Sequence, residues 1–416
     1  SVSRENLLQD QGADGQPTVR LMAVVLLSMF QAYAAMQNLQ FVLKKTMGVG
    51  QHGDRADAFT WAVTMLHVGK LLSRLAHNVL CACLSPLTRV YISMWCVVVG
   101  SSVPAIFVFN FGSDWLGWVF ISYFCIGVGI GVFEATFLAV IAPLGKNTKS
   151  FAILGIPTGF LIIGVPGVSL LGAGMPTQVI YWYVVACTLA SMVVVKRYAP
   201  RERQRRTDCA AEDCHLREER PSLLTSLKAW RCWLPLLIPH LVGKMFVNFG
   251  MENLFPVIGF TYNGSKVALF GPYSSTLVGK DFFQAAQNVF VFCGDSFSRR
   301  IPYYVRSQRY SITMLFILIA MCLEVLGFLL MKTAVAWVAW IAISLAFFGN
   351  GLVYAAGSKH IDKSVPTEHH LAAYSLWCFM GDISSVVGAK SQDLVRGWIC
   401  NDMHSAYECL DKALMM

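Results

Sequence analysis

The sequence predicts an all-α, polytopic membrane protein with about eleven transmembrane helices in two bundles of six and five. Three observations carry this. The 416 residues are 56% hydrophobic and only 14% charged, with a mean hydropathy of +0.54. The apolar residues fall in runs long enough to cross roughly 30 Å of hydrocarbon, which takes about 20 residues per helix. A charged stretch splits the runs into two sets, the layout expected of a two-bundle transporter. Backbone in lipid must satisfy its own hydrogen bonds, so the runs are expected to be helical.

In chain order, residues 1–20 are polar and read as a disordered cytosolic tail. Helices are expected over 21–43, 57–85, 91–110, 115–143, 150–173 and 178–195, forming the amino-terminal bundle over 21–195. Residues 196–231 (KRYAPRERQRRTDCAAEDCHLREERPSLLTSLKAWR) form a charged cytosolic linker. Helices over 232–260, 281–298, 311–331, 333–357 and 371–395 form the carboxy-terminal bundle, and 396–416 is a tail. Lys and Arg are concentrated in the linker and in the loop holding Arg299, Arg300, Arg306 and Arg309. By the positive-inside rule this places the amino terminus in the cytosol. It also disperses the net charge of +9, so no basic domain exists for a nucleic-acid partner. The sequon Asn263-Gly264-Ser265 then lies on the non-cytosolic side and is a candidate glycosylation site.

Polar residues inside the apolar runs are the candidate functional residues. In the second run, His67, Lys70, Arg74 and His77 are spaced three, four and three apart and share one helical face. A Lys or Arg at the bilayer centre costs about 2.5–3.5 kcal/mol, so this face should look into a bundle or a wet cavity. It would form a cationic wall for an anionic solute, with His67 as a proton carrier. The competing reading is a hydrogen-bonded core histidine and an arginine snorkelling to headgroups. In the fourth run, Gly127, Gly129 and Gly131 leave a bare surface where a helix or a substrate can approach. Glu134 follows, either as counter-ion or proton-coupling acid, or as half of a structural ion pair.

In the seventh run, Lys244, Asn248 and Glu252 repeat every four residues and share a face. Pro239 and Pro256 bracket them, which predicts a broken, polar-lined helix. Asp295 and Arg299, four apart in the eighth run, read as a gate pair near the cytosolic end, and Asp382 sits deep in the last run. Glu324 stands alone in an otherwise apolar run and reads as a structural hydrogen-bond partner. Thus Lys70, Arg74, His67, Glu134, Lys244, Asn248 and Glu252 are candidates for substrate binding, and Asp295, Arg299 and Asp382 for gating or coupling.

Enzyme classes are excluded by what is missing. There is no nucleotide-binding loop, no nucleophile triad and no HExxH. Cys81-Ala-Cys83 lacks further ligands, so no metal site is expected, and no cofactor is expected either. The expected partners are a small-molecule solute and the lipid bilayer. A protein-partner role for residues 196–231 stays open, as does the reading of the chain as a non-transporting membrane scaffold.

Four stretches resemble the battenin family of endolysosomal membrane proteins: SPLTRV, GIGVFEATFLA, WLPLLIPHLVGKMFVNFGMENL and TEHHLAAY. They occur in the family's order across roughly residues 64–400. The resemblance implies a major-facilitator-like fold, a lysosomal, vacuolar or related endomembrane location and export of glycerophosphodiester-like solutes, with protons an open coupling ion. A plasma-membrane location stays open. The second half also resembles equilibrative nucleoside transporters through LFPVIG, GDSFSRR and FFGNG, which implies a nucleoside or nucleobase as the alternative solute.

Overall fold

The structure, a computed structural model, describes residues 16–50, 53–80, 84–141, 146–212, 223–262, 266–271, 274–305, 310–333, 335–366 and 369–400. The sequon residue Asn263 and most of the two expected tails lie outside these residues, and His77 lies outside those whose side chains are described.

The chain folds as α1 (Gln16–Asn38), α2 (Gln40–Thr46), α3 (Asp54–Leu80), α4 (Pro86–Val103), α5 (Gly117–Ile141), α6 (Lys146–Ala152), α7 (Gly155–Ile162) and α8 (Val168–Gly172). It continues as α9 (Thr177–Glu212), α10 (Leu223–Thr261), α11 (Lys280–Tyr304), α12 (Tyr310–Met331), α13 (Ala336–Ser364) and α14 (His370–Cys400). Between α10 and α11 stands one antiparallel hairpin, β1 (Lys266–Ala268) with β2 (Leu277–Gly279), in which Val267 faces Val278.

Nine stretches among the described residues are long and apolar enough to cross a membrane. The two other expected spans, α3 and α11, are 27 and 25 residues long. At 1.5 Å per residue each reaches about 37–40 Å, enough for the hydrocarbon layer. They fall short on composition because they carry Lys70 and Arg74, and Asp295, Arg299 and Arg300.

Proline and glycine shape two of the spans. After Val103, α4 continues as a π-helical stretch, Pro104–Asn110. The span expected as one helix over 150–173 is instead α6, α7, a π-helical turn at Ile163–Gly167 and α8. Its sequence GIPTGFLIIGVPG explains this, because proline removes a donor and clashes with the preceding turn. The seventh run departs in the other direction: α10 is one helix from Leu223 to Thr261 with Pro235, Pro239 and Pro256 inside it. The expected break at Pro239 and Pro256 does not occur, as neighbouring helices can accommodate proline in a membrane helix. The charged linker is also more helical than a loop, since α9 runs on to Glu212 and α10 begins at Leu223.

Packing sorts the helices into two groups with matching internal contacts. In the first half α3 and α4 pack on α5, and α1 packs on α7. In the second half α11 and α12 pack on α13, and α10 packs on α14. The bare surface of α5 is filled by helices rather than by a substrate. A Cβ on Gly131 would sit 2.7 Å from the Lys70 carbonyl oxygen, and one on Gly129 would sit 2.7 Å from that of Ser93. Gly131 therefore lets α3 close on one side of α5, and Gly129 lets α4 close on another. The two halves meet where α14 packs on α3 and α5, and where α11 packs on α7.

Candidate functional site

The α3–α14 seam carries the first ion pairs. Lys70, buried on α3, lies 3.0 Å from Asp382 Oδ1 of α14. Its ammonium also sits 4.8 Å from the centre of the Tyr33 ring of α1. One helical turn on, Arg74 is held between Asp382 and Glu134 of α5. The spacing that put Lys70 and Arg74 on one face thus brings both to a single carboxylate from the other half.

Glu134 links the halves a second time, because the Tyr354 hydroxyl of α13 donates to its Oε1 at 2.9 Å. The Tyr354 ring also receives two cations: the Arg299 guanidinium at 4.3 Å and the Lys244 ammonium at 5.1 Å from its centre. Cations are attracted to the negative face of an aromatic ring, more strongly when desolvated. Trp377 of α14 gives Lys244 a second ring at 5.4 Å. Lys244 Nζ donates to Asn350 Oδ1 at 3.2 Å, and Asn350 Nδ2 donates to Asp295 Oδ1 at 3.4 Å. Asp295 accepts two hydrogen bonds from Arg299, at 2.9 and 2.8 Å. On the α10 face, Asn248 donates to the Gly381 carbonyl at 3.2 Å. Gly381 leaves room for this contact, since a Cβ there would meet Asn248 Nδ2 at 2.9 Å.

Eight of the residues singled out in the sequence therefore lie in one buried polar layer: Lys70, Arg74, Glu134, Lys244, Asn248, Asp295, Arg299 and Asp382. The bonding is uneven across it. Lys70, Arg74 and Arg299 are each ion-paired. Lys244 is equally buried, but among the described residues no carboxylate lies within ion-pair distance of it. A buried charge without a partner costs several kcal/mol, so Lys244 is the cation most in need of an anion.

The geometry adds detail to the remaining candidates. Asp295 and Arg299 pair with each other along α11, and the acids that join the two halves are Asp382 and Glu134. Glu324 is fully buried on α12, and neither carboxylate oxygen has a hydrogen-bond partner among the described residues. It lies against Gly250 of α10, where no side chain stands in its way. His67 lies buried on α3 one turn before Lys70, with Nδ1 unpartnered among the described residues. Glu252, two turns beyond Lys244, is only partly buried, and its backbone carbonyl accepts from Gln392. Neither joins the hydrogen-bonded layer.

A second bridge between the halves was not singled out in the sequence. Lys149 of α6 donates to both carboxylate oxygens of Asp362 of α13, at 2.7 and 2.6 Å. It also bonds the Tyr374 hydroxyl of α14. That hydroxyl lies 2.6 Å from Asp362 Oδ1 and 2.9 Å from the Ser358 carbonyl. Lys149 is almost fully buried. The bridge lies near the end of α13 and the start of α14. Among the described residues no set of three His, Cys, Asp or Glu could hold a metal ion.

Comparison with known proteins bears on the whole chain. Residues 21–389 match the model of the Major Facilitator Superfamily. None of the curated proteins compared matches the chain. Among solved structures, it resembles a POT family transporter bound to 5-aminolevulinic acid, with a TM-score of 0.64 at 10% identity. That match covers 94% of this chain and 93% of the other. The human organic anion transporter MFSD10 matches at a TM-score of 0.60 and 14% identity, covering 95% and 96%. A D-xylose-proton symporter matches at 0.62 and 12% identity, covering 90% and 88%. At these identities the likeness is one of fold.

Proposed function

We propose that this chain, which belongs to the Major Facilitator Superfamily, is a secondary transporter whose solute is a small anion. The carrying observation is Lys244: a buried ammonium that faces two aromatic rings and an amide, with no carboxylate at ion-pair distance among the described residues. An anionic group of the solute supplies the missing partner. Asn248 Oδ1, one turn along α10, has no hydrogen-bond partner among the described residues and can accept from a hydroxyl of the solute. Neutral solutes, such as the xylose named for one similar structure, have less use for such a cation. The organic anions named for another have more.

The resemblance to battenin supports a glycerophosphodiester as the solute and an endolysosomal membrane as the location. Alternating access follows from rocking the bundle at 21–195 against the bundle at 232–395. The contacts that must break and re-form are the Asp382 and Glu134 bridges at the centre and the Lys149–Asp362–Tyr374 bridge at the cytosolic end. Asp382 shuttles between two cations in this scheme, which makes it the acid best placed to feel solute arrival.

The test is uptake into proteoliposomes of a labelled glycerophosphodiester and a labelled nucleoside, each with and without an inward proton gradient. Saturable glycerophosphodiester uptake supports the proposal, and dependence on the gradient adds proton coupling. Nucleoside uptake alone overturns it.

A further inference from the structure

The solute scheme leaves Glu324 of α12 without a role. Much of α12 faces outward, with Leu315, Leu318, Val325 and Leu329 exposed where lipid would lie. Glu324 instead points inward and is fully buried. Neither of its carboxylate oxygens has a hydrogen-bond partner among the described residues. No Lys, Arg or His among those residues lies within ion-pair distance of it. An ionisable side chain inside a membrane helix is costly, and its presence points to function.

Packing alone does not call for an acid at this place. The α10–α12 seam repeats every seven residues, which returns to the same helical face. Ile317 fills the space left by Gly243, and Glu324 fills the space left by Gly250. A Cβ on Gly243 would meet Ile317 Cγ2 at 2.7 Å, and one on Gly250 would collide with the Glu324 carboxyl. An apolar side chain serves the first position and would serve the second. The charged and titratable groups on the helices packed against Glu324 are turned elsewhere. On α10, Lys244 bonds Asn350 of α13, and Glu252 stands beside Gly388 of α14. On α13, no titratable residue occurs from Ala336 to Val353. On α12 itself, Cys322 is exposed and Tyr310 stands at the far end. Just past α12, Lys332 sits over the Trp398 ring, 4.0 Å from its centre.

A buried carboxylate with neither hydrogen bonds nor a cation is too costly to keep its charge, and such a group neutralises instead. Glu324 is therefore stable against Gly250 only as the carboxylic acid. We propose that Glu324 is a proton-binding site that controls the α10–α12 seam. With its proton it packs α12 against α10. When the proton passes to water entering the seam, the carboxylate cannot stay against Gly250, and the two helices part. The path to water is short, since Glu324 stands about 10 Å from the Met331 end of α12 at 1.5 Å per residue. The link to transport rests on the reading of α10 as the solute helix, because Lys244 and Asn248 precede Gly250 on it. On that reading a proton gradient acts on the solute site through this seam.

The full chain in lipid nanodiscs is compared with Glu324→Gln by infrared difference spectroscopy. The wild type should show a carboxylic-acid carbonyl band at neutral pH that Glu324→Gln removes. That band should disappear as the pH is raised while the protein stays folded. Absence of a Glu324-dependent acid band at neutral pH would overturn the proposal. So would a band that persists until the protein unfolds, the mark of a neutral structural group. In proteoliposomes, an inward proton gradient should raise glycerophosphodiester uptake about fivefold in the wild type and leave it unchanged in Glu324→Gln, with solute affinity the same in both. Stimulation retained in the variant, or wild-type uptake indifferent to the gradient, would overturn the coupling. If the wild type takes up no glycerophosphodiester, the solute assignment fails, and the infrared result still decides the proton site.

Discussion

Removing Asp382 should cost far more than removing Lys70, although the two form one ion pair. In the structure Asp382 serves two cations, Lys70 at 3.0 Å and Arg74 beside it. Arg74 has a second acid, Glu134, whereas Lys70 has no other carboxylate partner at ion-pair distance among the described residues. Asp382→Asn therefore strands Lys70 as an uncompensated buried charge. Breaking a buried pair in this way costs about 3–5 kcal/mol. Lys70→Met leaves Asp382 paired with Arg74 and fills the space with an apolar chain of similar length, so it should cost about 1 kcal/mol or less. The double variant removes the stranded charge and should recover to within about 1 kcal/mol of Lys70→Met. The assay is denaturant unfolding of the full chain in detergent micelles, read as a double-mutant cycle. Equal losses for the two single variants, or an additive double variant, would refute the reasoning.

Two further outcomes follow from the packing and the bridges. Gly131→Ala should destabilise the protein by about 1–3 kcal/mol in the same unfolding assay, because the new Cβ meets not only the Ser73 hydroxyl, which can move, but also the Lys70 backbone at 2.7 and 2.9 Å, which cannot; an unchanged midpoint would contradict the close α3–α5 contact. Asp362→Asn should weaken the Lys149–Tyr374 bridge and favour opening at that end. Maleimide labelling of Cys378, buried one turn beyond Tyr374, is then expected to rise severalfold by peptide mass spectrometry, and unchanged labelling would remove the bridge from the gating scheme.

Much of this architecture was legible in the sequence, because length and composition alone decide which segments can cross a bilayer. The site was legible where partners sit on one helix. Lys70 with Arg74, Lys244 with Asn248, and Asp295 with Arg299 all follow the four-residue repeat that puts side chains on one face. The partnerships across helices were not. Lys149 and Asp362 are 213 positions apart, and each alone resembles an ordinary charge at a helix end. Tyr33, Tyr354 and Trp377 escaped notice because an aromatic residue in an apolar run reads as core or interfacial belt. Only the fold shows that Tyr33 faces Lys70, and that Tyr354 and Trp377 face Lys244. The proline pattern misled in opposite directions: α10 runs straight through three prolines, while the 150–173 span breaks where proline is joined by several glycines. What differs is the local company of the proline, which a residue-by-residue reading weighs poorly.

The central claim is that Lys244 receives the solute's negative charge. The direct measurement is the affinity of the purified full chain for a glycerophosphodiester and for its uncharged alcohol, in wild type and in Lys244→Met. Wild type should bind the phosphodiester well and the alcohol weakly. Lys244→Met should lose about 2–3 kcal/mol of phosphodiester affinity, roughly 30- to 150-fold, with little change for the alcohol. Its unfolding midpoint should hold or rise, because the substitution removes a buried charge that has no carboxylate at ion-pair distance among the described residues. Equal phosphodiester affinity in the two proteins would contradict the claim.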